Sequence, residues 1–448
     1  MRSWTGRVAA VLFLFPGVVA AQVAPQPASP APDDARPIPL DEAVRLAHQN
    51  APALVQARGQ LRSSAAQVRR NQATFIPNVN FGTSTSNQKG ATYFQGQLVP
   101  LTGNPWSFSN TVSANLQLFD GGQRFADIAA ARANVDAAEA GEVNQRFNVA
   151  LQVKQQYYAV LAQREAEAAA LQQLEQAQQQ LAAAAARLAA GSATKSDSLR
   201  TAIQVSNAQL AALQARTNIA NANASLTRLV GTPYLVTAGA PEDEPVEAAP
   251  LDSATLARLA DDSPAVRQAQ ASLTAARASV RSAKTAYWPT VTTSYSYSSN
   301  QSSSGFEAGN LWLLTGENPN RKQFSVNLSY PIFNQLQRET AVITADVQAR
   351  NAEAALRDAQ LAAQQSLAQA LGTLGLAQER IRIQQQTVVS AEEDLRVQTE
   401  RYELGAATLL DVLTSQTTLN QARLALIQAR FDARIARAQL EAIVGRDL

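Results

Sequence analysis

The chain has no cysteine and a single histidine in 448 residues. Thiol chemistry, disulfide frameworks, zinc-finger spacings and histidine-based triads are thereby excluded. The missing cysteine also removes the acceptor for an N-terminal lipid anchor. Aromatic residues are scarce at 6%, and charged residues reach only 17%. Lys and Arg number 38 against 36 Asp and Glu, a formal net charge of +2 with no basic block, so nucleic acid is a poor partner. Beyond the N-terminal leader no apolar run is long enough for a membrane helix. What remains in abundance is Ala, Gln and Leu within a 46% hydrophobic composition, which suits long packed helices better than a compact enzyme. No convergent acid, base or nucleophile stands out, and no cofactor or metal is expected.

Residues 1–21 read as a secretory signal peptide: Arg2 and Arg7, the apolar run Val8–Val19, then Ala20 and Ala21. At about 12 residues the run is too short for a spanning helix, which needs about 20. Residues 22–39 are rich in Pro and Ala and read as an extended, largely disordered arm.

Two matching stretches organise the rest. RYELGAATLLDVL, Arg401–Leu413, aligns without gaps on RLAAGSATKSDSL, Arg187–Leu199, placing Gly405 on Gly191, Thr408 on Thr194 and Asp411 on Asp197. Each reads as a helix-turn-helix tip. The glycine ends one helix in the left-handed conformation, the threonine caps the next, and the aspartate sits in its first turn at the positive end of the dipole. A second match aligns Pro52 with Pro264, Leu61 with Leu273 and Pro77 with Pro289. The chain is therefore two copies of one unit, 40–231 and 251–448. The linker 232–250 reads as an irregular surface segment.

After a helix pair, each copy changes period. Val79, Phe81, Thr83 and Thr85 alternate with polar residues, as do Phe108, Val112, Ala114, Leu116 and Leu118; Val291, Thr293, Tyr295 and Tyr297 and then Phe324, Val326 and Leu328 repeat the pattern. The expected strands run about 75–87, 106–118, 287–299 and 322–333. Period two over about 10 residues is the length of a tilted strand crossing a bilayer with one lipid face and one wet face. Trp106, Trp288 and Trp312 fall near strand ends, where membrane-interface aromatics belong. A soluble sandwich with one buried face fits the same alternation.

Long helices follow, about 123–188 and 337–402, with return helices about 196–230 and 408–444. Leu367, Leu374, Ile381, Val388, Leu395 and Tyr402 recur every seven residues, a coiled-coil signal. About 65 residues at 1.5 Å each make a rod near 100 Å long, too long for a globular interior. Four strands cannot close a barrel, since open edges in lipid leave unpaired backbone groups and the smallest bacterial barrels need about eight strands. Strands must be pooled between chains, and twelve leave a useful lumen where eight do not.

From LDEAVRLA at Leu40 to the final VG at Gly445, the chain resembles the TolC-like outer membrane efflux proteins, most specifically in RYELGAATLLDVL followed by LNQARLALIQAR. The resemblance implies a mainly α, mixed α and β fold: long antiparallel coiled-coil helices forming a periplasmic α-barrel, and four strands per chain in a shared 12-stranded transmembrane β-barrel. It implies a homotrimer in outer membrane lipid, docked by a periplasmic adaptor and energised by an inner-membrane efflux pump or ABC exporter, as in tripartite efflux or type I secretion. It places Asp411 at the periplasmic entrance. The family's second aspartate is Thr414 here and its latch arginine is Ala407, which leaves Tyr402 with Asp197, beside Ser196, as the closure contact. Ala190, Gly191 and Ser192, and Leu404, Gly405 and Ala406, match the tips that meet the adaptor. Read from the residues alone, Gly191 and Gly405 end helices, and Asp197 and Asp411 stabilise helix starts. Two other functions stay open: a soluble periplasmic coiled-coil scaffold or adaptor, and a general diffusion porin, which the long rods disfavour. His48, the run Glu392-Glu393-Asp394 and the Asp120-Gly121-Gly122 corner read as structural.

Overall fold

In a computed structural model, residues 35–87, 90–100, 106–191, 194–239, 253–303 and 320–446 are described. Strand β1 (Arg36–Ile38) precedes the first copy, which runs α1 (Leu40–Asn50), α2 (Pro52–Ala73), β2 (Asn78–Asn87), β3 (Ala91–Phe94), β4 (Gln97–Pro100), β5 (Trp106–Phe119), α3 (Gln123–Ala189) and α4 (Lys195–Val230). Strand β6 (Val236–Ala238) lies in the linker, and the second copy runs α5 (Ser253–Asp261), α6 (Pro264–Lys284), β7 (Thr290–Ser303), β8 (Asn320–Ser329), α7 (Gln337–Glu403) and α8 (Leu409–Val444).

Helices α3 and α7 are each 67 residues long and contain no proline, so nothing interrupts a rod of about 100 Å. Packing places them in two layers: α2, α3, α6, α7 side by side near the sheet, and α4, α3, α8, α7 toward the tips. Both rods serve in both layers. The seven-residue pattern is used as its period demands. Val388 and Leu395 pack with Ala391 against Leu419 and Ala422 of α8, and Leu174 and Leu181 with Ala177 against Val205 and Ala208 of α4. Alanine fills many of the buried helix positions, which lets the helices approach closely and accounts for the scarcity of aromatics.

The largest core lies midway along the rods, where α1 covers α3 and α4. Ile38, Leu54, Val153, Val160, Leu226, Val230 and Val236 are fully buried there. Two readings of the sequence are corrected at this point. The end of the Pro-rich arm is ordered as β1, and part of the linker as β6; the two pair in parallel, with Ile38 opposite Ala238. The Ile38 carbonyl accepts from Gly239 N–H at 2.8 Å and from the Tyr157 hydroxyl at 3.1 Å. Three-residue strands carry no visible period, so only tertiary contacts reveal them.

Strands β2, β5, β7 and β8 form one antiparallel sheet in that order, with β2 and β8 at its edges. The first connection holds the small hairpin β3–β4. Strand β8 stops at Ser329, short of the expected end near 333, because Pro331 has no N–H to give the ladder and Gln335 and Leu336 turn the chain at φ 57° and 63°. Strand β7 begins at Thr290, a few residues after the expected start near 287, because residues 285–287 form a 3-10 turn.

Register sorts the sheet cleanly. Rows such as Val79, Ala114, Tyr295, Phe324 lie on one face, and rows such as Asn80, Ser113, Ser296, Gln323 on the other. On the apolar face Val79, Phe81, Tyr295, Phe324, Val326 and Leu328 are exposed in the single chain. The polar face is tied across strands by hydroxyl pairs, Ser86 with Ser107 at 2.7 Å and Ser294 with Ser325 at 2.6 Å.

Candidate functional site

The two tips are built alike. At the end of α7, Gly405 takes φ 74°; its N–H donates to the Tyr402 carbonyl at 3.1 Å and that of Ala406 to the Arg401 carbonyl at 2.7 Å, the pattern by which a left-handed residue closes a helix. The Arg401 guanidinium reaches over the turn to the Ala406 carbonyl at 3.3 Å. Gly191 repeats this at the end of α3 with φ 77°, and open space surrounds both glycines.

The next helix starts with a reciprocal cap. Asp411 N–H donates to the Thr408 hydroxyl oxygen at 3.3 Å, while the Asp411 carboxylate accepts from Thr408 N–H at 2.8 Å and from its hydroxyl at 2.7 Å. Thr194 and Asp197 do the same at 3.2, 3.1 and 2.7 Å. Donation from the Thr408 backbone, then its hydroxyl, holds the Asp411 carboxyl below the usual carboxylate range. For Asp197 the Thr194 hydroxyl is the larger cause and its N–H the second. Both aspartates thus have a structural task at a helix start, and both stay ionised at neutral pH.

The family resemblance pairs Tyr402 with Asp197. Among the described residues no hydrogen bond joins them within the chain. The Arg187 guanidinium instead lies over the Tyr402 ring at 5.0 Å and joins the two tips across the repeats. Ser196 is exposed, and Thr414 turns its hydroxyl back to the Leu410 carbonyl at 2.8 Å. Ala190, Gly191, Gly405 and Ala406 are exposed, and Leu404 is 84% exposed at the extreme end. Ser192 and Trp312 lie outside the described residues, as does the Trp106 side chain, although Trp106 heads β5. Trp288 stands exposed between α6 and β7, and Phe75, Phe125, Tyr330 and Phe333, near the other connections of strands and helices, are exposed as well.

Sequence reasoning missed the polar ties behind the tips. The Gln416 side-chain N–H donates to the Gln176 side-chain oxygen at 2.7 Å, linking α8 to α3, and the Ser415 hydroxyl donates to Asp394 at 2.5 Å, linking α8 to α7. Ser415 and Gln416 are buried. Their only sequence signal is polarity at positions the helical period assigns to the interior. Among the described residues no group of three or more His, Asp or Glu side chains is arranged to hold a metal ion. His48 is half-buried on α1, and burial lowers its pKa.

A sheet with an exposed apolar face and, among the described residues, unpaired edges, set on rods ending in paired turns, fits the subunit of a membrane channel. Residues 43–232 and 255–446 match the family described as Outer membrane efflux protein, and the chain belongs to that family. The family is one of outer membrane channels, not of enzymes. Protein CyaE of Bordetella pertussis is 28% identical over 89% of this chain and 82% of its own. The pyoverdine export outer membrane protein OpmQ of Pseudomonas aeruginosa is 29% identical over 91% and 83%. The solved structure of CusC superposes with a TM-score of 0.75 at 20% identity, covering 93% of this chain and 95% of that one. The fold is that of the TolC-like channels.

Proposed function

We propose that three copies of this chain form an exit duct in which twelve strands close a barrel in the outer membrane and the rods close a tunnel in the periplasm. The observation that carries this reading is the sheet. Its apolar face is exposed in the single chain and, among the described residues, its edge strands β2 and β8 have no partner on their outer sides, a combination that lipid tolerates only when the edges pair with other chains. The antiparallel order lets β8 of one copy pair with β2 of the next. Outer helices agree with this: Leu199, Ile203, Leu210 and Leu213 form an exposed row on α4, and Leu376, Ile383 and Val389 are exposed on α7, ready to meet on neighbouring copies.

The duct conducts passively, and an inner-membrane efflux pump or ABC exporter supplies cargo and energy through a periplasmic adaptor. The adaptor meets the tips at Ala190, Gly191, Ser192, Leu404, Gly405 and Ala406. Three copies of Asp197 and Asp411 ring the entrance, and Tyr402, which makes no hydrogen bond to Asp197 within the single chain, meets Asp197 and Ser196 between copies as its closure contact, to which Arg187 adds a cation. Thr414 and Ala407 leave the mouth less tightly latched than in a relative that carries the second aspartate and the arginine at these positions. Fractionation of cells followed by native mass measurement in detergent tests the reading. A three-copy particle extracted from outer membranes is expected; recovery of the mature chain in the soluble fraction without detergent would overturn it.

A further inference from the structure

The four strands of the sheet contain two charged side chains, Arg321 and Lys322, and no carboxylate. Adjacent in β8, they fall on opposite faces. Arg321 stands opposite Ser298, in the row that continues through Thr111 and Gly82; Lys322 stands opposite Tyr297, in the row of Val112 and Phe81. Arg321 is therefore the one charge on a face otherwise made of Ser, Thr, Asn, Gln and Gly among the described residues, and it is exposed. It lies near the end of the sheet away from the helices. If β8 meets β2 of the next copy, the neighbouring strand brings no carboxylate to neutralise it.

We infer that Arg321 determines the charge preference of the barrel, favouring small anionic solutes. The inference rests on the duct reading above, because it needs three copies around one lumen. Twelve strands about 4.8 Å apart, tilted by about 40°, enclose a backbone radius of about 12 Å, and an inward arginine spans about half of that. The Debye length is about 30 Å at 0.01 M salt and about 3 Å at 1 M. Three guanidinium groups therefore act across the whole lumen in dilute salt and on almost none of it in concentrated salt. Among the described residues, the neutral, hydroxyl-lined wall of the sheet offers no competing field.

Reversal potentials in planar bilayers, with potassium chloride gradients between 0.01 and 0.1 M, test this on the full-length channel. The entrance carboxylates are common to all variants, so the comparison isolates the sheet. Arg321→Gln is expected to lower the chloride-to-potassium permeability ratio by about twofold or more, Arg321→Lys to keep it, and Lys322→Gln, on the lipid face, to leave it unchanged. At 1 M salt all four channels should conduct alike, which also shows that each variant folds and inserts. An Arg321→Gln ratio equal to that of the wild type, or an equal shift from Lys322→Gln, overturns the inference while the duct stands. A wild-type protein that forms no channel removes the duct reading and this inference with it.

Discussion

Replacing Thr408 by alanine isolates the contribution of one tip cap. The change removes the hydroxyl that accepts from Asp411 N–H at 3.3 Å and donates to the Asp411 carboxylate at 2.7 Å, and it leaves the backbone contact at 2.8 Å in place. Loss of a threonine cap costs about 1 kcal/mol, within a range of about 0.5–2. At 25 °C that is about a fivefold rise in the population of the frayed helix start. Hydrogen exchange of the first-turn amides, Leu409–Val412, should accelerate by that factor once intrinsic rates are divided out. Thr194→Ala should do the same for α4, since the two caps share their geometry. Acid should reproduce the loss. The Asp411 carboxyl is held below its ordinary value of 3.8, so the cap's contribution is complete above that pH and disappears as pH falls through the depressed value. Unchanged exchange in Thr408→Ala, or equal acceleration in Thr408→Ser, would refute the reasoning.

Three further outcomes follow from other contacts. Lys154 and Arg437 share the Glu441 carboxylate at 2.6 and 3.4 Å; Glu441→Gln takes it from both cations and should cost about 3 kcal/mol, against about 1–2 for Lys154→Gln, as read from thermal unfolding of the assembled protein. Phe324 is 70% exposed on the apolar face, so Phe324→Arg should cost about 2–4 kcal/mol of membrane stability, while Gln323→Arg on the wet face is tolerated; the yield of assembled protein in outer membranes measures both. Tyr402→Phe should raise the resting single-channel conductance if its hydroxyl helps close the entrance, and equal conductance would remove it from that role.

The parts of the fold that were legible in the sequence are those written in a period. Leu174, Leu181, Val388 and Leu395 repeat at heptad spacing and pack where that spacing sends them. Val79, Phe81, Phe324 and Val326 alternate and share one face. Thr408 and Asp411 stand three residues apart, the spacing of a reciprocal cap, and form one. What escaped has no period or depends on partners far apart in the chain. Arg36–Ile38 and Val236–Ala238 are three residues each and become strands only against each other. Arg187 over Tyr402 and Gln176 with Gln416 join separate repeats, so no local pattern marks them. Strand ends blurred wherever apolar residues ran past the ladder, as at Ile332 and Phe333, both strongly exposed beyond Ser329.

The doubled duty of α3 and α7 has a genetic consequence. Each rod is a wall of both layers and carries no proline at which motion could be absorbed, so a substitution at its middle has two addresses. Variants at Val153 or Leu367 should disturb tip and sheet together. Suppressors of tip defects should then arise not only beside the tips but also at the roots of the strands, a whole rod's length away.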